Sequence, residues 1–167
     1  MKRLSLLVLA LCLMAGMFAM GTSADELVFL SPVVGSNPGA TIAGVGSGGA
    51  PWVVRQGIAV LTDEGRLRVD VKGLVLPSAG NTAGPVTGVA ASVVCANTVV
   101  ATSNAVSLST NGNAEIHAKL TVALPCVGAV VLVRIAAING AQLPAAGPFI
   151  AATGLAAGHD ERDNEND

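Results

Sequence analysis

Two segments of the chain alternate strictly between apolar and polar residues. In residues 66–74, Leu67, Val69 and Val71 alternate with charged side chains, and residues 115–122 repeat the pattern. A period of two places the apolar side chains on one face of an extended strand and the charged ones on the other. Both segments are therefore predicted to be β-strands with one face toward a core.

Two turn sequences predict hairpins next to these strands. Residues 63–65 (Asp-Glu-Gly) follow the apolar segment Gly57–Leu61, and they suit a three-residue loop with Gly65 in the left-handed conformation. Residues 111–113 (Asn-Gly-Asn) precede the second alternating segment. They predict that this strand pairs with Ala105–Ser109.

Further strands are indicated by short Val-rich runs between turn residues. Val130–Ile138 is apolar apart from Arg134, which is typical of a central strand buried on both faces. No segment shows a sustained helical period, and seven to nine short strands with regular turns favour an all-β, antiparallel β-sandwich of immunoglobulin-like or Greek-key type. The other candidate strands are Val86–Cys95, Val99–Thr102, Val127–Ala137 and Phe149–Thr153.

The first residues have the pattern of a secretory signal peptide. Lys2 and Arg3 precede an apolar run over residues 4–20, and small residues follow at the −3 and −1 positions of a cleavage site after Ala24. Residues 1–24 are therefore predicted to be removed on export, leaving a mature chain without a membrane span. The expected location is extracellular or periplasmic, in a bacterium.

Composition divides the remaining chain into three parts. Residues 25–51 end in a stretch that is almost entirely Gly, Ser, Ala, Pro and Val, and they predict a flexible leader. Residues 52–158 carry the strand patterns and form the predicted β-sandwich domain. Residues 159–167 hold five acidic residues against Arg162 alone, and they predict a disordered, solvated acidic tail.

Cys95 and Cys126 are the two cysteines left after signal-peptide removal. An even pair in an exported protein predicts a disulfide, which would tie together two strands or two sheets. Trp52, the single tryptophan, is expected to fill one end of the core.

The net charge and the small number of metal-binding side chains exclude several classes of function. The 167-residue chain has a formal net charge of −2, which offers no electrostatic basis for nucleic-acid binding. With 3 Cys and 2 His, it lacks ligands for haem, iron–sulfur or multi-histidine sites, and no cofactor is expected. Gly44, Gly46 and Gly49 match a dinucleotide-binding pattern in spacing, but no strand leads into it and no helix is predicted after it.

Catalytic residue types are few and scattered. His117 lies on the polar face of its predicted strand, and no nucleophile-elbow motif singles out Ser92, Ser107 or Ser109. A pair of carboxylates for acid–base catalysis would have to come from Asp63, Glu64, Asp70 and Glu115. The first two belong to a predicted turn, and the other two are expected to face solvent beside cationic side chains. The protein is therefore expected not to be an enzyme, and no catalytic, cofactor or metal residue is assigned.

Six short motifs occur together along the chain: Pro51-Trp52-Val53-Val54, Gly65-Arg66-Leu67-Arg68-Val69, Gly73-Leu74-Val75-Leu76-Pro77, Gly84-Pro85-Val86, Val93-Val94-Cys95 and Leu124-Pro125-Cys126. Their combination resembles a group of small secreted bacterial proteins of unknown function, a similarity that implies no activity. A fainter similarity is to the CHRD domain, an extracellular β-domain, through Gly73-Leu74 and residues 84–86 (Gly-Pro-Val). The histidines that lie between these motifs in that domain are missing here, so a metal role tied to them is not carried over.

The leading hypothesis is an exported, non-enzymatic structural or protein-interaction module, whose partner is a protein or a cell-surface component. An alternative is an extracellular ligand- or metal-binding protein that uses the acidic tail or the polar face around Glu115, His117 and Lys119. In the tail, residues 163–167 alternate oxygen ligands but lack the glycine and distal glutamate of a calcium loop. A secreted hydrolase is the third hypothesis.

Overall fold

The computed structural model describes residues 26–155, so the predicted signal peptide and acidic tail lie outside the described residues. Within this range the chain is almost entirely β, and its one helical element is the 3-10 turn Pro77–Ala79. No helix in the described part is long and apolar enough to cross a membrane. The strands are β1 (Leu27–Gly35), β2 (Thr41–Ile42), β3 (Val45–Gly46), β4 (Gln56–Thr62), β5 (Arg66–Lys72), β6 (Val86–Cys95), β7 (Thr98–Thr102), β8 (Val106–Ser107), β9 (Ala114–Lys119), β10 (Val130–Ile138), β11 (Ala141–Gln142) and β12 (Phe149–Thr153).

The main strands form one curled antiparallel sheet in the order β7-β6-β10-β12-β1-β4-β5-β9. Strand β1 joins its two halves, because residues 33–35 pair with β12 whereas most of residues 27–32 pair with β4. The predicted all-β antiparallel class is thus confirmed. The finer immunoglobulin-like or Greek-key description stays a prediction.

Both halves of the sheet enclose one apolar core. Val69 and Ile116 of the β4–β5–β9 half belong to the same buried cluster as Val93 and Val131 of the β6–β10–β12 half. Trp52 is also buried in this cluster, as expected for a core residue. The alternation of β5 is explained by this packing, since its apolar residues face the cluster and its charged residues face outward.

The structure confirms the first hairpin and the central strand. Strands β4 and β5 pair through the turn at residues 63–65, where Gly65 has a φ of +79°. A Cβ at Gly65 would lie 2.0 Å from the Leu120 carbonyl oxygen, so only glycine fits. Strand β10 lies between β6 and β12 and is largely buried, as its apolar sequence predicts.

The second predicted hairpin is wrong in its pairing. The turn at residues 111–113 forms, with the Asn113 side chain accepting a hydrogen bond from the Gly73 amide at 3.1 Å. However, β8 pairs with β6 and β9 pairs with β5, so the turn connects the two halves of the sheet. The backbone of Gly112 packs against Leu74, which gives this turn a structural role beyond joining two strands.

The predicted leader over residues 25–51 is also corrected, because its described residues belong to the fold. Strand β1 lies between β12 and β4, and β2 and β3 pair as a small hairpin. Ile42 and Val45 of this hairpin pack on a second buried cluster around Leu132 and Phe149. A Cβ at Gly35 would lie 1.9 Å from the Trp52 carbonyl oxygen, so this small residue allows close packing. The β domain therefore begins well before the predicted boundary at residue 52.

Cys95 and Cys126 form the predicted disulfide, with their Cα atoms 5.0 Å apart. Cys95 ends β6, and Cys126 lies in the loop before β10 rather than in a strand. Because β6 and β10 are hydrogen-bonded neighbours, the bond links adjacent parts of one sheet half.

Candidate functional site

The outward face of β5 and β9 carries most of the charged side chains of this half of the sheet. Strand register places Asp70 opposite Glu115 and Arg68 opposite His117. Residues directly opposite each other on antiparallel strands have neighbouring side chains on the same face. The outward residues are Arg66, Arg68, Asp70 and Lys72 on β5, and Glu115, His117 and Lys119 on β9.

Asp70, Glu115 and His117 form a compact group, which we call the carboxylate–imidazole cluster. One oxygen of each carboxylate and one imidazole nitrogen all lie within 4.8 Å of one another. Glu115 and His117 are exposed, whereas Asp70 is half-buried. Two anionic groups and an imidazole on paired strands suit metal coordination or hydrogen bonding to a cationic ligand.

The two carboxylate oxygens of Asp70 have different environments. Oδ2 accepts a hydrogen bond from Arg68 Nε at 2.7 Å. Oδ1 is buried and has no hydrogen-bond partner within the part of the chain that the structure describes. A buried polar atom without a partner is energetically costly, so the position of Oδ1 is notable in an otherwise well-paired sheet.

In the alternative hypothesis Lys119 shares a polar site with Glu115 and His117, but in the structure its contact lies elsewhere. Its Nζ donates to Glu64 Oε2 at 3.2 Å, and Arg66 donates to the same oxygen at 3.0 Å. These contacts, that of Arg66 first, hold the pKa of Glu64 below its usual range. Lys119 is therefore engaged at the turn end of the strands, and Asp70 takes its place beside Glu115 and His117.

Apolar side chains lie on the same outward face, along β1 and β4. Leu30 is 58% exposed and lies opposite Val60, which in turn lies opposite Arg68. Ile58 is 39% exposed and lies opposite Asp70. We call Leu27, Leu30, Ile58 and Val60 the apolar strip, and it runs directly beside the charged rows of β5 and β9.

Two shallow depressions mark the boundary between the apolar strip and the charged rows. One, with a volume of about 770 Å³, is lined by residues that include Ile58, Asp70 and Glu115. The other, of about 650 Å³, is lined by residues that include Val60 and His117. Arg68 lines both depressions. The face therefore offers apolar contact and charged groups within the same surface.

The candidate serines do not share one environment. Ser92 is buried on β6 in the other half of the sheet, with its hydroxyl 2.8 Å from that of Thr102. Ser109 accepts a hydrogen bond from the Asn113 amide, which stabilises a turn. Ser107 is exposed and lines the depression that contains Glu115. Two of the three hydroxyls therefore have structural partners.

The remaining sequence candidates have structural positions or lie beyond the described range. Asp63 accepts hydrogen bonds from the amides of Glu26 and Glu64, and so belongs to the turn. Gly44 and Gly46 lie in and beside the β2–β3 hairpin, and Gly49 follows it in a loop. The possible metal ligands of the acidic tail lie outside residues 26–155.

Comparison of the chain with models of protein families, with curated proteins and with solved structures found no match. The similarity to small secreted bacterial proteins and to the CHRD domain therefore stays a prediction.

Proposed function

We propose that the protein is an exported, non-enzymatic binding module that contacts a partner protein through the outward face of β1, β4, β5 and β9. The observation that carries the proposal is the apolar strip lying directly beside the charged rows on one continuous four-stranded surface. Exposed apolar surface bordered by polar groups is characteristic of protein interaction sites.

The chemistry of the face specifies the kind of partner. The apolar strip supplies side chains that gain free energy when they leave water. Four cations (Arg66, Arg68, Lys72 and Lys119) and two carboxylates share the neighbouring rows. A complementary partner therefore has an apolar patch with acidic residues beside it, since opposite charges favour encounter and orientation.

Export is supported by two independent features. The disulfide is typical of proteins that mature in an oxidising compartment outside the cytosol. The first 24 residues have the charged, apolar and small-residue regions of a signal peptide. Both features favour a periplasmic or extracellular binding protein.

Site-specific photo-crosslinking in the producing cell tests the partner proposal. A photoreactive residue replaces Ile58 in the apolar strip, and a matched variant carries it at Val100, which is 44% exposed on β7 in the other half. We expect a discrete crosslinked protein from position 58 and none from position 100. Mass spectrometry then identifies the partner.

The same pair of variants shows when the proposal fails. Equal crosslinking from both positions, or none from position 58 when the protein is folded and exported, would contradict a binding face on β1 and β4. The non-enzymatic part is checked with ester, peptide and glycoside substrates. Turnover that is lost in His117→Ala would contradict it.

A further inference from the structure

We propose that Asp70, Glu115 and His117 bind a divalent transition-metal ion, with Zn²⁺ as the ion that suits this ligand set. The inference is independent of the partner-binding proposal, because it rests on the geometry of three side chains and needs no second protein. No metal residue is assigned from the sequence, and the proposed site differs from the polar face of the alternative hypothesis because it includes Asp70 and excludes Lys119.

The ligand atoms are near one another, but they must move closer to bind one ion. Zinc bonds of about 2.0–2.2 Å in a tetrahedral site place neighbouring ligand atoms about 3.4 Å apart. In the cluster, the three atoms lie within 4.8 Å of one another. Glu115 and His117 are exposed, so their side chains have room to rotate toward Asp70 when an ion binds.

The scaffold gives these ligands a fixed relative position. Asp70 and Glu115 are direct cross-strand neighbours in an uninterrupted register between β5 and β9, and His117 is two residues further along β9 on the same face. Asp70 is additionally held by the hydrogen bond from Arg68 to Oδ2. Ligands on paired strands are placed more precisely than ligands on loops.

The unpaired oxygen of Asp70 gives this residue a further reason to take a positively charged ligand. This oxygen is buried without a hydrogen-bond partner among residues 26–155, although the other oxygen of the same carboxylate is paired. Because Oδ1 is enclosed, the carboxylate would have to rotate to bring this oxygen to an ion held by Glu115 and His117, and the ion would then satisfy it. The hydrogen bond from Arg68 to Oδ2 also helps to orient the carboxylate toward an ion.

The donor set favours zinc over calcium or magnesium. Calcium takes six to eight oxygen ligands, and magnesium prefers an octahedral shell of oxygens, whereas an imidazole nitrogen with carboxylate oxygens suits zinc and copper. Three protein ligands leave a fourth position for water.

Arg68 lies opposite His117, and Lys72 follows Asp70 on the same face. These cations weaken the site, so moderate affinity is expected.

Zinc titration of the oxidised full chain by calorimetry tests the proposal. The variants His117→Ala and Asp70→Asn remove one ligand each from the outward face. Glu64→Gln is the matched control, because Glu64 is an exposed carboxylate near the same strands but outside the cluster. All four proteins carry His159→Ala, which removes the imidazole of the tail as an alternative ligand.

We expect one Zn²⁺ per chain at this site, with binding weakened at least about tenfold in both ligand variants and unchanged in Glu64→Gln. Zinc also raises the melting temperature through preferential binding to the folded state, and this rise is lost in His117→Ala. Shifts of the His117 imidazole resonances on zinc addition report the ligand directly. Unchanged affinity in both ligand variants, or no binding below about 1 mM, would overturn the site.

Discussion

Arg134 brings a guanidinium into a half-buried position on the central strand β10. Its Nε donates to the Gly147 carbonyl oxygen at 2.7 Å, and its terminal nitrogens contact the Ala146 carbonyl oxygen and the Ser92 hydroxyl. Burial lowers the pKa of this guanidinium, but an arginine stays charged at physiological pH. Arg134 interrupts the apolar sequence of β10 because its hydrogen bonds hold the loop that leads into β12.

Replacing Arg134 with Met is predicted to lower the free energy of unfolding by about 2 kcal/mol, because carbonyl groups of the loop lose charge-assisted hydrogen bonds. Arg55→Met at an exposed position serves as the control and is expected to change stability by less than about 0.5 kcal/mol. Urea unfolding at neutral pH measures both variants. Equal stability of the two would show that the Arg134 hydrogen bonds contribute little.

At the scale of elements, the β2–β3 hairpin shows how a segment of small residues becomes ordered. The hairpin covers the outer side of the β10–β12 region, where Ile42 and Val45 pack against the cluster around Phe149. The Gly48 amide then donates to the Phe149 carbonyl oxygen at 2.8 Å. Order in this segment therefore comes from tertiary contacts rather than from intrinsic propensity.

Amide hydrogen exchange distinguishes an ordered hairpin from a flexible leader. The Gly48 amide is predicted to exchange at least about 100-fold more slowly than that of the adjacent, exposed Gly49, because its hydrogen bond must open first. Two-dimensional NMR of the oxidised protein measures both residues in one experiment. Equally fast exchange at the two glycines would contradict the packing of this segment on β12.

At the scale of the whole molecule, strand order brings the two ends of the described chain together. Strand β1 near the start of the described range pairs with β12 near its end, and β1 also continues into the other half of the sheet. Such pairing requires closing nearly the whole chain into one loop, which costs conformational entropy. The Cys95–Cys126 bond offsets part of this cost by restricting the unfolded chain.

The double variant Cys95→Ser, Cys126→Ser is predicted to be about 3–4 kcal/mol less stable than the oxidised protein, because a loop of 31 residues is no longer closed in the unfolded state. It is expected to keep its β circular-dichroism spectrum, since neither cysteine is among the buried members of the core cluster. Urea unfolding of the variant and of the reduced wild type should agree. A stability equal to that of the oxidised protein would contradict this account.

The features that sequence alone determined are the local ones. Alternation in residues 66–74 predicted β5 and its buried face, and the turn at residues 63–65 predicted its pairing with β4. The continuous apolar run predicted the buried central strand β10, and Cys95 with Cys126 predicted the disulfide. Each depends on the period of side chains along one strand, on turn chemistry or on cysteine count, all of which are visible without knowing which strands are neighbours.

Only the tertiary structure decided which distant strands meet. Strand β9 pairs with β5 rather than with β8, and this register places Asp70 beside Glu115 and His117. The same applies to residues 26–51, whose strand and hairpin are ordered by packing on β4, β10 and β12. Partners far apart in sequence are selected by the fit of whole faces around a shared core, and a period of two along one strand carries no information about that fit.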